Sequence, residues 1–215
     1  MIEARDATLE YSDHGRPVFA CQDIELRVAS GEFLGILGPS GSGKSSLLYL
    51  LSGLKIPTGG DVLYNGQSLG TMHEEDRSRL RLREFGFVFQ QPYLLGYLTA
   101  LENILVASPS SLRTEEAMSL LSDLHLDHKS HRLPHELSGG ERQRVCVARA
   151  ILGGPKVIFA DEPTAALDHK NGVEVVQMLN RLRGDGSVVM VTHDPSMLEE
   201  ADRVVRIVEG RLTAE

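Results

Sequence analysis

At 215 residues the chain has the size of one ordinary domain, long enough to bury a core of its own. Its 22 lysines and arginines against 30 acids give a formal charge of −8 with the two signs interspersed, which leaves no basic stripe for a phosphate backbone and argues against nucleic acid as a partner. No run of about 18 apolar residues occurs and "MIEARDATLEYSD" has no apolar core for export, so a soluble, cytoplasmic chain is expected; Cys21 and Cys146 fit no metal or redox spacing and read as free thiols.

In chain order, "ATLEY" (7–11) and "DIELRVA" (23–29) come first, the latter placing Ile24, Leu26 and Val28 at alternate positions. They predict the half-buried strands of an N-terminal antiparallel sheet. "EFLGIL" (32–37) is a short, nearly continuous apolar run, as in strands covered on both faces, and "KSSLLYLLSG" continues from it as a helix ending on Gly53. "FGFVFQ" (85–90) reads as another buried strand, closed by Gln90. From there to Leu137 the strand signal disappears, and "TALENILVA" and "RTEEAMSLLSDLHL" show helical spacing around a Pro/Ser loop. The chain then alternates helix 140–152, strand 156–160, helix 170–184 and strand 187–192, and closes with a strand in "VVRIVEGRL". The fold expected is α/β: a core with an N-terminal β-subdomain, formed by 1–90 and 140–215, interrupted by a helical subdomain over 91–139.

Two glycine-rich elements stand out. Gly38, Pro39, Ser40, Gly41, Ser42, Gly43, Lys44 and Ser45 match the phosphate-loop pattern G-x-x-x-x-G-K-[ST] between a strand and a helix, with Ser46 following. Gly41 and Gly43 let the backbone curl so that N–H groups face phosphate oxygens, and the helix N-terminus adds its dipole. Lys44 suits the β- and γ-phosphates, and the Ser45 hydroxyl suits Mg²⁺. A dinucleotide fingerprint is excluded, because Gly41 and Gly43 are followed by Ser46 where a third glycine would stand. The strand in "KVIFADEP" ends in two acids: Asp161 is aimed at Mg²⁺, and Glu162 turns toward the γ-phosphate, where it can polarise water. His193, after the strand "SVVMVT", and Gln90 come to the same edge of the sheet. The second element, "LSGGERQR" (137–144), opens a helix at Ser138, Gly139 and Gly140, whose N–H groups and dipole also attract phosphate.

With these motifs the whole chain resembles the ATP-binding subunit of an ABC transporter, a P-loop NTPase. The resemblance makes "GPSGSGKS" Walker A, Gln90 the Q-loop residue that touches Mg²⁺ and the lytic water, "LSGGE" the signature, "VIFAD" Walker B, Glu162 the general base, "AALD" (165–168) the D-loop and His193 the switch histidine. Tyr11 would stack on adenine. "LREFGFVFQ", "LTALENI" and "LSGGERQRV" are most similar to the macrolide-exporter and lipoprotein-release group. Gly96, where proline is usual, and Ala165-Ala166 in the D-loop depart from it.

The resemblance also implies that Walker A and the signature of one subunit lie too far apart to meet. Each signature then faces the ATP on the other subunit, so two ATPs are sandwiched in a homodimer formed on ATP binding. The function expected is an ATPase powering a separate transmembrane permease, peripheral on the inner face of the membrane. The alternative is an ATP-dependent switch or scaffold that signals through a membrane partner without moving a solute. The chain ends after its last strand, so regulation through an added C-terminal domain is not expected. The apolar stretch 90–106, with Tyr93 and Tyr97, suits a groove for a cytoplasmic helix of the permease. His125, His128, His131 and His135 recur at metal-like spacing, but Pro134 and the polar "DHKSHR" argue against one helix carrying all four.

Overall fold

The computed structural model describes residues 1–14, 16–107 and 113–213; the expected Pro/Ser loop, 108–112, lies outside the described residues. The architecture is mixed α/β with antiparallel and parallel sheets. It divides into two compact units, Met1–Arg83 with Val189–Glu215, and Glu84–Val188.

In the first unit, β1 (Ile2–Asp13), β2 (Arg16–Val28), β4 (Gly59–Tyr64) and β5 (Gln67–Ser68) form an antiparallel sheet in the order β2-β1-β4-β5. Both long strands outrun their predicted lengths. The cause is bulging: the β1–β2 register shifts between Ala4 and Ala7, between Ala7 and Leu9 and again before Glu10, while Asp6 and Asp23 take φ of 47° and 51°. Each shift resets which residues face inward, so simple alternation is visible only in part of each strand. The buried face still collects Ile2, Ala4, Ala7 and Leu9 from β1 with Cys21, Ile24, Leu26 and Val28 from β2. β4 and β5 are joined by Asn65 and Gly66, both at positive φ, the chemistry of a two-residue hairpin turn.

The parallel part of this unit centres on β3 (Phe33–Leu37), buried along its length and paired with β9 (Arg203–Val208) from Leu34↔Arg203 to Leu37↔Arg206. β10 (Arg211–Thr213) pairs antiparallel with β9, and β8 (Ser187–Thr192), of which 189–192 belong to this unit, lies beside β3. Helix α1 (Lys44–Leu51) buries Leu47, Leu48, Leu50 and Leu51, each contributing about 1.5–3 kcal/mol. α2 (Glu74–Glu84) is anchored differently. Arg77 is buried and donates to the carbonyls of Leu69 and Met72, both at 3.1 Å, and Arg81 donates to the carbonyl of Gly53 at 2.8 Å.

In the second unit β6 (Phe85–Val88) pairs parallel with β7 (Val157–Asp161), from Phe85↔Val157 to Val88↔Ala160. Phe159 meets Phe85 edge-on at 5.2 Å and stacks on Phe87 at 5.6 Å. Helix α5 (Gly139–Ile151) lies directly against β6, since a Cβ on Gly86 would stand 2.1 Å from the Ala150 carbonyl oxygen. α3 (Ala100–Leu105), α4 (Thr114–Asp123) and α6 (His169–Leu182) complete this unit. α3 begins with a reciprocal capping box between Thr99 and Glu102.

Candidate phosphate-binding site

The loop between β3 and α1 is fixed by backbone on several sides. A Cβ at Gly43 would stand 2.1 Å from the Ala20 carbonyl oxygen of β2, and one at Gly38 would stand 2.4 Å from the Ile207 carbonyl oxygen of β9. The Gly210 N–H donates to the Ser42 carbonyl at 2.9 Å, and the Ser42 N–H closes back on the Pro39 carbonyl at 3.2 Å. Gly41 and Gly43 have φ of 77° and 101°, so the curl uses backbone conformations that side chains resist. Cys21 donates its thiol to the Gly43 carbonyl at 3.7 Å, and burial pushes that thiol up to about 12, so it stays protonated and inert beside the loop.

The inner surface of the loop fits an anion. No side chain caps α1, whose N-cap is Gly43. A Cβ on Gly41 would meet nothing within 4 Å, so the curl is open on that side, whereas the Ser42 Oγ, without a hydrogen-bond partner among the described residues, packs behind the loop, 2.6 Å from where a Gly38 Cβ would stand. Lys44 is buried and folds back so that its ammonium donates to the Pro39 carbonyl at 2.9 Å. Ser45 and Ser46 are half-buried in the first helical turn, and Pro39, Ser40 and Gly41 form an exposed lip. A helix N-terminus without a side-chain cap and a lysine ammonium folded onto the same curl together suit phosphate oxygens. Elsewhere in this unit Tyr11 sits on β1 opposite Val18, 40% exposed, and His193 follows the end of β8 and is exposed.

The second unit carries the remaining candidates. Because Val88 pairs with Ala160 in parallel, Asp161 and the residues just past Val88 come to the same end of the strand pair. The strand stops at Val88, two residues short of the expected Gln90, which is exposed in the following turn. The reason lies on α5: Gln143 donates its amide to the Phe89 carbonyl at 3.0 Å and draws that residue out of the ladder. Arg149, further along α5, donates to the carbonyls of Pro92 at 2.7 Å and Tyr93 at 3.0 Å. Asp161 is buried, while Glu162 is half-buried with φ of 45°, in a turn where the Ala165 N–H donates to its carbonyl at 3.2 Å. A glutamate held there costs about 1–2 kcal/mol, offset by the surrounding fold.

Ser138 caps α5, and Gly139 and Gly140 form its first turn. Glu141 completes the box and is held far below the usual carboxylate range, at about 2, chiefly by its hydrogen bond from Lys129. The D-loop segment ends on Asp168, whose carboxylate accepts the Asn171 N–H at 3.0 Å and caps α6. Tyr93, Tyr97 and Val106 are 69%, 77% and 57% exposed. The loop that follows Tyr93 and carries Tyr97 is organised by the fully buried Asn103, whose Oδ1 accepts the Leu95 N–H at 2.7 Å while its amide donates to Leu95, Leu98 and Thr99 carbonyls. Gln143, Arg149 and Asn103 carry no sequence signal of their own, because their partners are backbone carbonyls and N–H groups. His125, His128, His131 and His135 are all exposed, and among the described residues no three His, Cys, Asp or Glu side chains gather as a metal site. Nor is any helix among the described residues long and apolar enough to cross a membrane.

Known proteins resemble this chain throughout. The ABC transporter family profile matches residues 21–165. An uncharacterized ABC transporter ATP-binding protein of Methanocaldococcus jannaschii is 40% identical over 218 residues, which cover 99% of this chain and 97% of that protein. The macrolide export ATP-binding/permease protein MacB of Psychrobacter cryohalolentis is 40% identical over 221 residues, all of this chain but 33% of that protein. The chain thus spans about a third of the length of the MacB relatives it matches. Among solved structures, the dimeric structure of MJ0796, a bacterial ABC transporter cassette, superposes with a TM-score of 0.92 at 34% identity, covering 100% of this chain and 97% of that one. Its post-hydrolysis state bound to ADP and Pi gives 0.89 at 32% identity with the same coverage.

Proposed function

The chain belongs to the ABC transporter family and is an ATPase cassette of it, and from that premise we propose that it powers a membrane permease through ATP-driven closure of a homodimer. Residues 91–139 are its helical subdomain, and the cassette sits on the inner face of the membrane through its permease. The observation that carries the reading is the loop 38–45: a lysine ammonium bonded back to the Pro39 carbonyl and a helix start at Gly43 that no side chain caps belong to one backbone curl, which suits a nucleotide's phosphates.

In this reading the backbone from Gly38 to Ser46 cradles the phosphates, Lys44 neutralises the β- and γ-groups, and Tyr11 stacks on adenine. Ser45, Asp161 and Gln90 are the residues that would hold Mg²⁺, which would supply further positive charge to the phosphates. Glu162 takes the proton of the attacking water as the water oxygen bonds to the γ-phosphorus and the bond to ADP breaks, and His193 holds the γ-phosphate. Ser138, Gly139 and Gly140 receive the γ-phosphate of the ATP carried by the partner cassette. The exposed Tyr93, Tyr97 and Val106 present an apolar face to a cytoplasmic helix of the permease.

Glu162→Gln tests this directly, because the carboxylate acts on water and not on nucleotide binding. With Mg-ATP the variant should elute as a dimer holding two ATP per dimer, and adding Lys44→Ala should abolish that dimer. A Glu162→Gln protein that stays monomeric at saturating Mg-ATP and hydrolyses at the parent rate would refute the reading.

A further inference from the structure

The turn proposed to receive an anion carries a carboxylate of its own. Glu141 Oε2 accepts the Ser138 N–H at 2.8 Å, and Ser138 Oγ accepts the Glu141 N–H at 3.3 Å. This box secures the end of α5, yet it also sets a unit negative charge on the helix dipole and occupies a backbone donor that would otherwise attract phosphate. The other carboxylate oxygen, Oε1, is bonded to the ammonium of Lys129, from a turn twelve residues earlier in the chain. That turn is firmly built: the Lys129 N–H donates to the Leu126 carbonyl and the Arg132 N–H donates to the Lys129 carbonyl, both at 2.9 Å. The pair is partly shielded, its side chains being 30% and 16% exposed. The neighbouring cation, Arg142, is engaged with the carbonyls of Pro134 and Leu137.

We infer that Lys129 is a positioning residue of the signature turn, cancelling the charge of Glu141 and holding its carboxylate in the capping box so that Ser138, Gly139 and Gly140 attract a γ-phosphate. The inference rests on the nucleotide-sandwich reading above. Glu141 stays ionised throughout the neutral range, so without Lys129 the approaching phosphate meets an uncompensated negative charge within a few ångströms. The capping box and the ion pair are thus two halves of one device. The box fixes where the hydroxyl of Ser138 points, and the lysine removes the electrostatic cost of using a carboxylate to fix it.

The test is a charge cycle on the full chain in the Glu162→Gln background, reading the dissociation constant of the Mg-ATP dimer by sedimentation. Lys129→Ala should weaken the dimer by about tenfold at low salt, a loss that shrinks as ionic strength rises. Lys129→Ala with Glu141→Gln should return to within about twofold of the parent, and Lys129→Arg should stay near it. If Lys129→Ala dimerises like the parent, or if Glu141→Gln fails to restore it, the inference is overturned and the lysine serves only the folding of its turn. Should Lys129→Ala fail to fold, the double variant is compared with Glu141→Gln alone: equal dimer constants are expected, and a tenfold gap overturns the proposal. A parent Glu162→Gln protein that does not dimerise removes the sandwich reading itself, and the inference with it.

Discussion

Gly41 and Gly43 lie in one loop, two residues apart, both at positive φ, and the same substitution should affect them very differently. At Gly41 a methyl group would meet nothing within 4 Å, so Gly41→Ala carries only the backbone cost of the left-handed region, about 1–2 kcal/mol, from φ of 77°. At Gly43 φ is 101°, and the methyl carbon would stand 2.1 Å from the Ala20 carbonyl oxygen, well inside van der Waals contact. That oxygen belongs to the backbone of β2 and cannot swing aside, so either the strand or the loop must move. Adding an overpacking cost of about 1–3 kcal/mol to the dihedral strain gives about 2–5 kcal/mol for Gly43→Ala. Much of it should appear as loss of nucleotide binding, because the loop is the softer partner. Titration with a fluorescent ATP analogue, alongside urea unfolding, separates the two effects. Gly41→Ala should bind within about tenfold of the parent, and Gly43→Ala more than about a hundredfold more weakly at 25 °C. Equal affinities for the two variants would show that the close approach to β2 does not shape the loop.

Two further outcomes follow from polar side chains bonded to nearby backbone groups. Asn103→Ala deletes four hydrogen bonds and strands the Leu95 N–H, so it should cost about 3 kcal/mol in urea unfolding and speed amide exchange over 95–99 by about a hundredfold; unchanged exchange would refute its organising role. Glu141, depressed to about 2 in the fold against 4.5 for the free group, contributes stability that is fully present above about pH 4.5 and lost as pH falls toward 2. The stability difference between the parent and Glu141→Gln should therefore be constant from pH 7 to 5 and shrink below 4.5, measured as urea midpoints; a constant difference down to pH 3 would contradict the pairing with Lys129.

The phosphate loop is legible in sequence because its geometry is local: glycines at positions of positive φ, a strand before and a helix after are all adjacent in the chain. The strand pair β1 and β2 is half legible, since bulges at Asp6 and Asp23 break the alternation on which strand reading depends. α2 shows little apolar periodicity because arginines bonded to carbonyls, Arg77 and Arg81, hold it in place of a hydrophobic face. The hairpin at Asn65 and Gly66 does carry a two-residue turn signal, and it belongs to a region the strand pattern passes over. Least legible is the end of β6, decided by Gln143 on a helix 54 residues later. The positive φ of Glu162 is equally invisible in sequence, as glutamate has no preference for it.

The grip of α5 on the segment after β6 has a mechanical meaning. Gln143 and Arg149 are six residues apart, so their attachment points are about 9 Å apart along a helix about 20 Å long. A strap tied to a rod at two points follows the rod's rotation as well as its translation. The helix that starts at Ser138 is therefore tied by side-chain hydrogen bonds to Phe89, Pro92 and Tyr93, and Gln90 lies between the attachment points. Tyr93, 69% exposed, thus stands at the surface on a segment moored to the same helix that Ser138 opens.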